Sequence, residues 1–532
     1  MEIIRVACLR FSRNPLHAPA LWSRNPYRRG SMSPVPYSRE KALIIGAGIG
    51  GLSTAIILAG LGYDVTVVEQ NRKPGGMMRS FVRQGVHCNV GIHYMGALAE
   101  GQILRRCFDY LGITEQLPLV RMGVDGPVDR YHFKNSDLDV DTFDLVEGFD
   151  AYTENLNRTF PAQKSQIQSL MRMLRQSAAH LDRLDFLYTS EPAAFWIENF
   201  DTLGAVFDDL GCSPGLRAVF GLPSVLIGVP PAVCPRFFHT MTLASYLLSS
   251  WRLKDCGAHM ADVCAARLAA LGGIVRTGRQ VISIRSRSGQ VTGVTLDSGE
   301  QIDAPVVIGA IHPKTILGLL DPDSVKASWR RRIQGLKETA SMVGIHALVP
   351  ADRYPAIPHN VFSVETDPDG GIADMIYLQL RPCERPEAHL LTLLTSGYES
   401  MWQPWLHTRR GQRGPDYLAA KERLARQIIA DMEPLTGGSR NPEIQDPHII
   451  DVFTPLSFRD WVAAPGGSAY GVMRSTDQML SSAFLNRNFL KGFYLAGQNV
   501  MAPGVLGTIL GSLATSRLIV GPERFRREVR IS

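Results

Sequence analysis

The chain has 532 residues, of which 45% are apolar and 20% are charged. It is too long for one hydrophobic core, so this ordinary globular composition predicts two or more domains. Residues 1–41 hold eight basic and two acidic side chains, which account for the whole net charge of +6, and the remainder holds 48 of each sign. Because a nucleic-acid-binding protein carries its basic face on the folded part, nucleic acid is excluded as a partner.

The basic leader, residues 1–40, lacks the apolar core of a secretory signal peptide. Two interpretations remain open. An arginine-rich, acid-poor leader is typical of a transit peptide, but the segment can equally be a disordered tail or an extension upstream of a true start at Met32. The second interpretation is favoured, and the leader is left out of the fold prediction.

Cysteines are scattered along the chain without a CxxC pair. A chain of this length does not need disulfides for stability, and no spacing suits a zinc site. We therefore predict reduced thiols, no metal, and a cytoplasmic compartment, with or without association with a membrane surface. The eight are Cys8, Cys88, Cys107, Cys212, Cys234, Cys256, Cys264 and Cys383.

A βαβ unit is predicted where the folded part begins. Residues 41–45 are a short branched apolar run, typical of a buried parallel strand, and a GxGxxG sequence from Gly46 to Gly51 leads into an apolar helix. Gly46 allows the tight turn, Gly48 lets backbone amides approach a pyrophosphate, and Gly51 lets the helix pack closely on the strand. The second strand ends at Glu69, which is placed to accept hydrogen bonds from a ribose diol. An acid here favours NAD or FAD over NADP.

Two long stretches contain no charged residue, Ala42 to Tyr63 and Gly492 to Ser516. Length alone would make both candidates for transmembrane helices. Glycines interrupt both stretches, however, so we predict buried nucleotide-binding structure instead of membrane spans.

Glycine-rich segments near both chain ends carry a family resemblance. Gly75-Gly76 follows the acid, a strand near the C-terminus ends at Gly497, and Pro503 then precedes a helix with three glycines on one side. These segments resemble the flavin amine-oxidase and phytoene-desaturase superfamily, in which the Gly-Gly pair lies along FAD. The N-terminus of the last helix can stabilise reduced flavin. The resemblance spans residues 41 to about 521.

This resemblance implies FAD as the cofactor and an α/β fold: a Rossmann-like FAD-binding domain (GR2-type) with an interleaved α+β substrate domain. Two departures weaken the transfer of a mechanism, because Met77 stands where many members have a phosphate-binding arginine and Asn89 where an acid is common. Arg79 is the alternative phosphate contact. The implied FAD contacts are Gly46, Gly48, Ile49, Gly50, Gly51, Glu69, Gln70, Arg72, Gly75, Gly76, Met77, Val281, Gly497, Gln498, Gly504 and Gly507.

Further segments narrow the resemblance to retinol saturases, carotenoid isomerases and phytoene desaturases. Gly91-Ile-His-Tyr-Met-Gly96 looks like their GxHYxG segment, and residues 454–458 and 465–471 look like their late segment. The implied substrate is a long apolar isoprenoid or polyene lipid, with hydride and proton exchange at a carbon–carbon double bond. His93 and Tyr94 are the candidates for lining the flavin face or passing a proton; a satisfied core histidine is the alternative.

The domains are predicted to interleave. The FAD-binding domain takes residues 41–100, 255–315 and 486–525, and the substrate domain takes 101–254 and 316–485. Apolar segments of the second domain line a lipid tunnel, rest on a bilayer surface or form a plain helical core. These segments are residues 193–196, Phe207, residues 220–227 and residues 235–248.

One motif is rejected as a metal site. Residues 137–141, Asp-Leu-Asp-Val-Asp, resemble the start of a calcium loop, but Thr142 replaces the needed glycine and Gly148 the closing glutamate. The alternation instead predicts an edge strand.

Rival functions remain open beside the lipid oxidoreductase: an amine-oxidase-like enzyme, and a non-catalytic flavin- or lipid-binding protein. Saturation, desaturation and isomerisation use the same flavin and are not separated by the sequence. Because no second GxGxxG unit follows a strand, a dedicated NADPH domain is not expected. The electron partner is then a quinone, oxygen, another protein or a transiently docked nicotinamide.

Overall fold

The computed structural model describes residues 39–134, 138–188, 200–254, 256–438, 447–479, 485–486 and 490–531. Nearly all of the basic leader and the apolar segment 193–196 therefore lie outside the described residues.

Twenty strands and fifteen helices are described. In chain order the strands are β1 Lys41–Ile45, β2 Asp64–Glu69, β3 Ser80–Arg83, β4 Val86–Asn89, β5 Met95–Gly96, β6 Leu119–Met122, β7 Asp129–Phe133, β8 Thr142–Leu145, β9 Ser250–Leu253, β10 Ile274–Thr277, β11 Val281–Arg287, β12 Gln290–Leu296, β13 Gln301–Asp303, β14 Val306–Gly309, β15 Met342–Pro350, β16 Asn360–Thr366, β17 Ile372–Pro382, β18 Ala388–Ser396, β19 His448–Phe453 and β20 Phe493–Leu495. The helices are α1 Ile49–Gly60, α2 Ile103–Leu111, α3 Phe149–Thr159, α4 Lys164–Arg183, α5 Asp185–Tyr188, α6 Leu203–Leu210, α7 Pro214–Gly221, α8 Arg236–Leu248, α9 Gly257–Ala270, α10 Pro313–Leu319, α11 Ala327–Gln334, α12 Gly414–Met432, α13 Pro455–Val462, α14 Gly504–Val520 and α15 Pro522–Glu528.

A five-stranded parallel sheet forms the first layer, in the order β10-β2-β1-β14-β20. Its central strand β1 is buried along four of its five residues, as expected for a branched apolar run between two neighbours. All five strands come from the three segments predicted to bind FAD, although the domain boundaries themselves stay a prediction. Parallel strands place all their carboxyl ends at one edge of the sheet.

Helices α1 and α14 join the two ends of the chain beside this sheet. The Ser53 hydroxyl donates to Ser512 Oγ at 2.9 Å, and the Ser512 hydroxyl lies 2.9 Å from the Gly50 carbonyl oxygen. Close packing is possible because these residues are small: a Cβ on Gly511 would lie 2.5 Å from the Gly497 carbonyl oxygen. The predicted small-residue face of the last helix is therefore used in packing.

A seven-stranded sheet forms the second large layer, in the order β19-β15-β18-β17-β16-β7-β8. All neighbours are antiparallel except β7 and β16, which are parallel. One face packs against α12 and the other against α4 and α8. The GxHYxG segment also packs on this second face, which is called the inner face of the sheet below.

The fold class predicted from the sequence, α/β with an interleaved α+β part, is confirmed by this arrangement. The predicted edge strand at residues 137–141 is wrong, because the described residues 138–141 are not extended and strand β8 begins only at Thr142. The Ser213 hydroxyl donates to Asp139 at 3.1 Å, which holds this loop against the start of α7. Asp137 lies outside the described residues.

The two uncharged stretches form β1–α1 and β20–α14. No helix in the described part of the chain is long and apolar enough to cross a membrane. Nor do the described residues contain a group of three or more His, Cys, Asp or Glu side chains arranged to hold a metal ion. Their seven cysteines are free, and six of these are buried.

Candidate active site

A cavity of about 210 Å³, here called the nucleotide cavity, lies at the carboxyl edge of the parallel sheet. It is bordered by the residues that end or directly follow β1, β2, β14 and β20. This is where open α/β sheets bind their ligands. The predicted cofactor residues that line it are Gly46, Gly48, Ile49, Gly50, Glu69, Gln70, Gly76, Met77, Val281, Gly497 and Gln498.

The glycines of the first turn are needed for different reasons. Gly46 has a φ of +101°, a left-handed conformation that favours glycine. A Cβ on Gly51 would lie 1.8 Å from the Gly46 carbonyl oxygen, and one on Gly50 would lie 2.7 Å from the Cα of Gly497. A Cβ on Gly48, by contrast, would meet no atom closer than 3.8 Å. The glycine turns at the two ends of the folded part therefore meet, and Gly48 leaves open space where a ligand can approach the backbone.

The Glu69 carboxylate, at the end of β2, is held in the wall of the nucleotide cavity by N–H groups of two neighbouring turns. Its Oε2 accepts the N–H of Ala47 at 2.9 Å, and its Oε1 accepts the backbone and side-chain N–H groups of Asn71 at 2.8 and 2.7 Å. Both lone pairs of Oε1 are used by these two bonds, and Oε2 keeps one lone pair for a ribose hydroxyl. No side chain caps α1, so its first-turn N–H groups can face a pyrophosphate. These residues fit a dinucleotide with an unphosphorylated ribose, such as FAD.

The other predicted cofactor residues do not line this cavity. Gly51 and Gly75 pack behind its wall through their backbones. Arg72 is exposed on the turn after β2, so its contact with a cofactor stays a prediction. Gly504 and Gly507 line a neighbouring cavity instead.

Sequence reasoning missed the contribution of helix α13, whose last turn lines the nucleotide cavity at Trp461. The Trp461 carbonyl accepts the Asn71 side-chain N–H at 3.1 Å, which ties α13 to the end of β2. The guanidinium groups of Arg410 and Arg79 lie 3.7 and 5.1 Å from the centroid of the Trp461 ring. Arg79, the alternative phosphate contact, thus stacks on this ring outside the cavity lining. Helix α13 begins inside the family segment at residues 454–458, and this segment is the part of the sequence that could have indicated the contact.

A second cavity of about 450 Å³, here called the apolar cavity, adjoins the first, and Ala469 lines both. Its walls come from the GxHYxG segment, residues 224–231, helix α8, the inner face of the seven-stranded sheet and the first turn of α14. Among the described residues that line it, the half-exposed Asp374 carries the one carboxylate, and no Lys or Arg is present. A wall of this composition suits a long apolar molecule.

The predicted apolar segments divide between tunnel and core. Residues 225–227 and the Phe238, Met241 and Tyr246 side of α8 line the apolar cavity. Phe207 and Phe220 are buried among other helices, away from it. These segments therefore divide between the wall of the apolar cavity and the helical core, while binding of a lipid and contact with a bilayer stay predictions.

His93 and Tyr94 both line the apolar cavity. The His93 ring lies 5.4 Å from the Tyr377 ring, centroid to centroid, and neither ring nitrogen meets hydrogen-bond geometry with a group of the described residues. Burial lowers the pKa of His93 to about 4, and the nearby Arg381 guanidinium contributes a smaller shift in the same direction. The Val90 backbone and the Gln379 side chain oppose this shift. His93 is therefore neutral at pH 7. Its role in catalysis stays a prediction.

Behind Tyr94 lies a buried carboxyl group that sequence reasoning missed. Asp129, at the start of β7, is 2% exposed. The Tyr94 hydroxyl donates to its Oδ2 at 3.1 Å, and the Asn360 side-chain N–H donates to its Oδ1 at 2.7 Å. Burial raises the pKa of Asp129 to about 7, with these two hydrogen bonds opposing the rise. A single aspartate in a mixed polar and apolar stretch of sequence gives no signal of such an environment.

Comparison with known proteins agrees with this geometry. The family model described as flavin containing amine oxidoreductase matches residues 49–517. All-trans-retinol 13,14-reductase of Rattus norvegicus is 24% identical over 92% of this chain and 87% of its own length. The 4,4'-diapolycopene oxygenase of a Methylomonas species is 23% identical over 90% of this chain and 98% of its own. An oxidoreductase structure from Methanosarcina mazei superimposes with a TM-score of 0.61 at 16% identity, covering 89% of this chain and 98% of that one.

Proposed function

Since the chain belongs to the flavin-containing amine oxidoreductases and its cofactor is FAD, we propose that it is an oxidoreductase acting on carbon–carbon double bonds of a long apolar isoprenoid or polyene lipid. The observation that carries the proposal is the apolar cavity, which adjoins the nucleotide cavity and is lined by the GxHYxG segment and by the start of α14. Curated relatives named for work on retinol and on carotenoids cover nine-tenths of the chain and support this substrate class.

Bound FAD supplies hydride transfer to or from a substrate carbon. The first turn of α1, Glu69 and the strand ends would hold the nucleotide part. The residues of the apolar cavity would orient the lipid and exclude water, because most of their surface is apolar. Few side chains of this chain then need to take part in bond changes. What the protein must still provide is a group that gives a proton to the second carbon of the double bond or takes one from it.

An amine substrate is the rival that the experiment must exclude. Such a substrate is cationic, and it would need a carboxylate or an open aromatic cage in the cavity wall. Asp374, the one carboxylate in the described lining, accepts the Ser396 hydroxyl and the Met375 backbone N–H at Oδ1, so an amine would have to bind at its Oδ2. The Tyr94 and Tyr377 rings are nearly parallel, with their centroids 6.4 Å apart, and the Tyr246 ring lies 4.7 Å from that of Tyr94. These three rings therefore pack against one another and do not form an open cage for a cation.

The test is anaerobic reduction of the FAD-loaded protein, followed by mixing with all-trans-retinol, a carotenoid, an isoprenoid quinone or putrescine. We expect flavin reoxidation by one polyene class, with a product changed at a double bond. Reoxidation by the quinone alone, without a changed lipid, would identify an electron partner and not a substrate. Amine turnover with hydrogen peroxide release, and no response to any polyene, would contradict the proposal. Sedimentation with lipid vesicles in parallel would test the predicted contact with a membrane surface.

A further inference from the structure

The inner face of the seven-stranded sheet carries a chain of buried polar groups that begins at the apolar cavity. Tyr94 lines the cavity, and its hydroxyl bonds to Asp129, which lies behind the wall. Asp129 in turn bonds to Asn360, which is fully buried. In the described part of the chain, no Lys, Arg or His forms an ion pair with this carboxyl group. A buried carboxyl without a cation is costly to ionise.

The orientation of Asn360 decides which oxygen of Asp129 can hold a proton. The Asn360 carbonyl oxygen accepts the Tyr377 hydroxyl and the Gln379 side-chain N–H, both at 2.9 Å. Its amide nitrogen must therefore face Asp129, and it can only donate to Oδ1. The acidic proton of Asp129 then belongs on Oδ2, the oxygen that faces Tyr94.

Two hydrogen-bond arrangements follow for this pair. When Asp129 is ionised, the single Tyr94 proton points at the carboxylate and is not available to the cavity. When Asp129 is protonated, Oδ2–H donates to the phenol oxygen, and the Tyr94 proton is free to turn towards the cavity. The protonation state of Asp129 therefore decides whether Tyr94 can act as an acid.

We propose that Tyr94 and Asp129 form a proton relay for the reaction in the apolar cavity, with Asp129 as the residue that supplies and positions the proton. The inference rests on the proposed function. In the saturating direction, one alkene carbon would receive a hydride, with its two electrons, that bound reduced FAD would supply, and the Tyr94 O–H bond breaks as a C–H bond forms at the other carbon. The phenol oxygen regains a proton from Asp129, and Asp129 regains one from water. Desaturation runs the same transfers in reverse.

The relay makes the saturating reaction depend on pH around neutrality. Asp129 is protonated below a pKa of about 7, so proton delivery falls as the pH rises through that value. The surrounding groups do not themselves titrate there, because burial raises the pKa of each nearby phenol above 10. These phenols are Tyr94, Tyr131, Tyr246 and Tyr377. The cations Arg381 and Arg252 lower the pKa of Tyr377, but the effect of burial is larger.

A substrate-free experiment tests the titration of Asp129. Infrared difference spectra of the FAD-loaded protein between about pH 5 and about pH 9 should contain a protonated carboxyl band that titrates near neutrality and is lost in Asp129→Asn. The matched control is Tyr131→Phe, which removes a phenol near Asp129 on the same strand but outside the cavity lining. The band should remain in that control. An Asp129 that is ionised over the whole range overturns the relay, whatever the substrate.

A second experiment tests proton transfer itself, with all-trans-retinol as the probe and chemically reduced enzyme. Tyr94→Phe and Asp129→Asn should each lower kcat by about 100-fold or more, with KM and FAD content close to wild type. Asp129→Asn should also lose the fall in kcat above neutral pH that the wild type shows. Wild-type kcat in Tyr94→Phe, or an unchanged pH profile in Asp129→Asn, would overturn the relay. If no polyene reacts while the carboxyl band titrates as expected, the proposed function fails and the relay has no reaction to serve.

Discussion

Glu69 is the residue on which recognition of the nucleotide most depends. Replacing Glu69 by Ala removes its hydrogen bonds to Ala47 and Asn71 and the acceptor proposed for the ribose. A hydrogen bond to a charged group contributes about 1.5–3 kcal/mol, so we expect the Kd for FAD to rise by about 10-fold or more. Flavin fluorescence on titration with FAD measures this change.

The matched variant is Asn71→Ala, which removes a side-chain N–H from Glu69 but leaves the carboxylate in place. We expect a smaller loss of affinity in this variant. Glu69→Gln keeps the size of the side chain and separates the loss of charge from the loss of shape. Full FAD retention in both Glu69 variants would contradict the assignment of this carboxylate to the ribose.

Helix α1 offers a comparison of two of its own glycines at the scale of an element. Gly51→Ala would place a Cβ 1.8 Å from a backbone carbonyl oxygen, whereas a Cβ on Gly60 would meet nothing within 4 Å. Gly51→Ala should therefore lower both the apparent Tm and the FAD content. Gly60→Ala should raise stability by about 0.5–1 kcal/mol and keep the cofactor, because alanine restricts the unfolded chain. Thermal unfolding followed by flavin fluorescence measures both, and equal behaviour of the two variants would contradict the packing described for Gly51.

The elements that could be predicted are those that a run of consecutive residues identifies by itself. Strand β1, helix α1 and strand β2 follow from an apolar run, three glycines and a terminal acid. The seven-stranded sheet did not follow, because its register pairs residues far apart in sequence. Asp129 and Asn360 are 231 positions apart, and they meet only because β16 lies beside β7 in parallel. Their burial and shared hydrogen bond exist only after that pairing.

At the scale of the whole molecule, the prediction that both chain ends contribute to one nucleotide site comes from the family resemblance of their glycine-rich segments. The structure brings Gly50 and Gly497 into contact, although they are far apart in sequence. The resemblance to a family added FAD and the GxHYxG segment, which residues alone would not have singled out. The shape of the apolar cavity could not be predicted from the sequence, because its walls come from many separate parts of the chain, between Gly91 and Leu510.

Stability should depend on pH through groups buried in their neutral form. His239 and His346 are fully buried, and burial lowers the pKa of each to about 3. In the unfolded chain a histidine titrates near 6.5. Below that pH the unfolded state binds protons that the folded state does not, so the free energy of unfolding falls by about 1.4 kcal/mol per pH unit for each group. The apparent Tm should therefore fall on acidification.

Asp129 opposes this loss, and its removal is the last prediction. Its pKa is about 7 in the folded protein and about 3.9 in an unfolded chain, so the folded state gains a proton first as the pH falls. Its favourable contribution is present at low pH and is lost as the pH rises through 7. Asp129→Asn should thus lose apparent Tm more steeply than wild type between about pH 7 and about pH 5, at saturating FAD. Asp303→Asn, at an exposed carboxylate, should keep the wild-type slope. Equal slopes in all three proteins would show that Asp129 is ionised in the folded state.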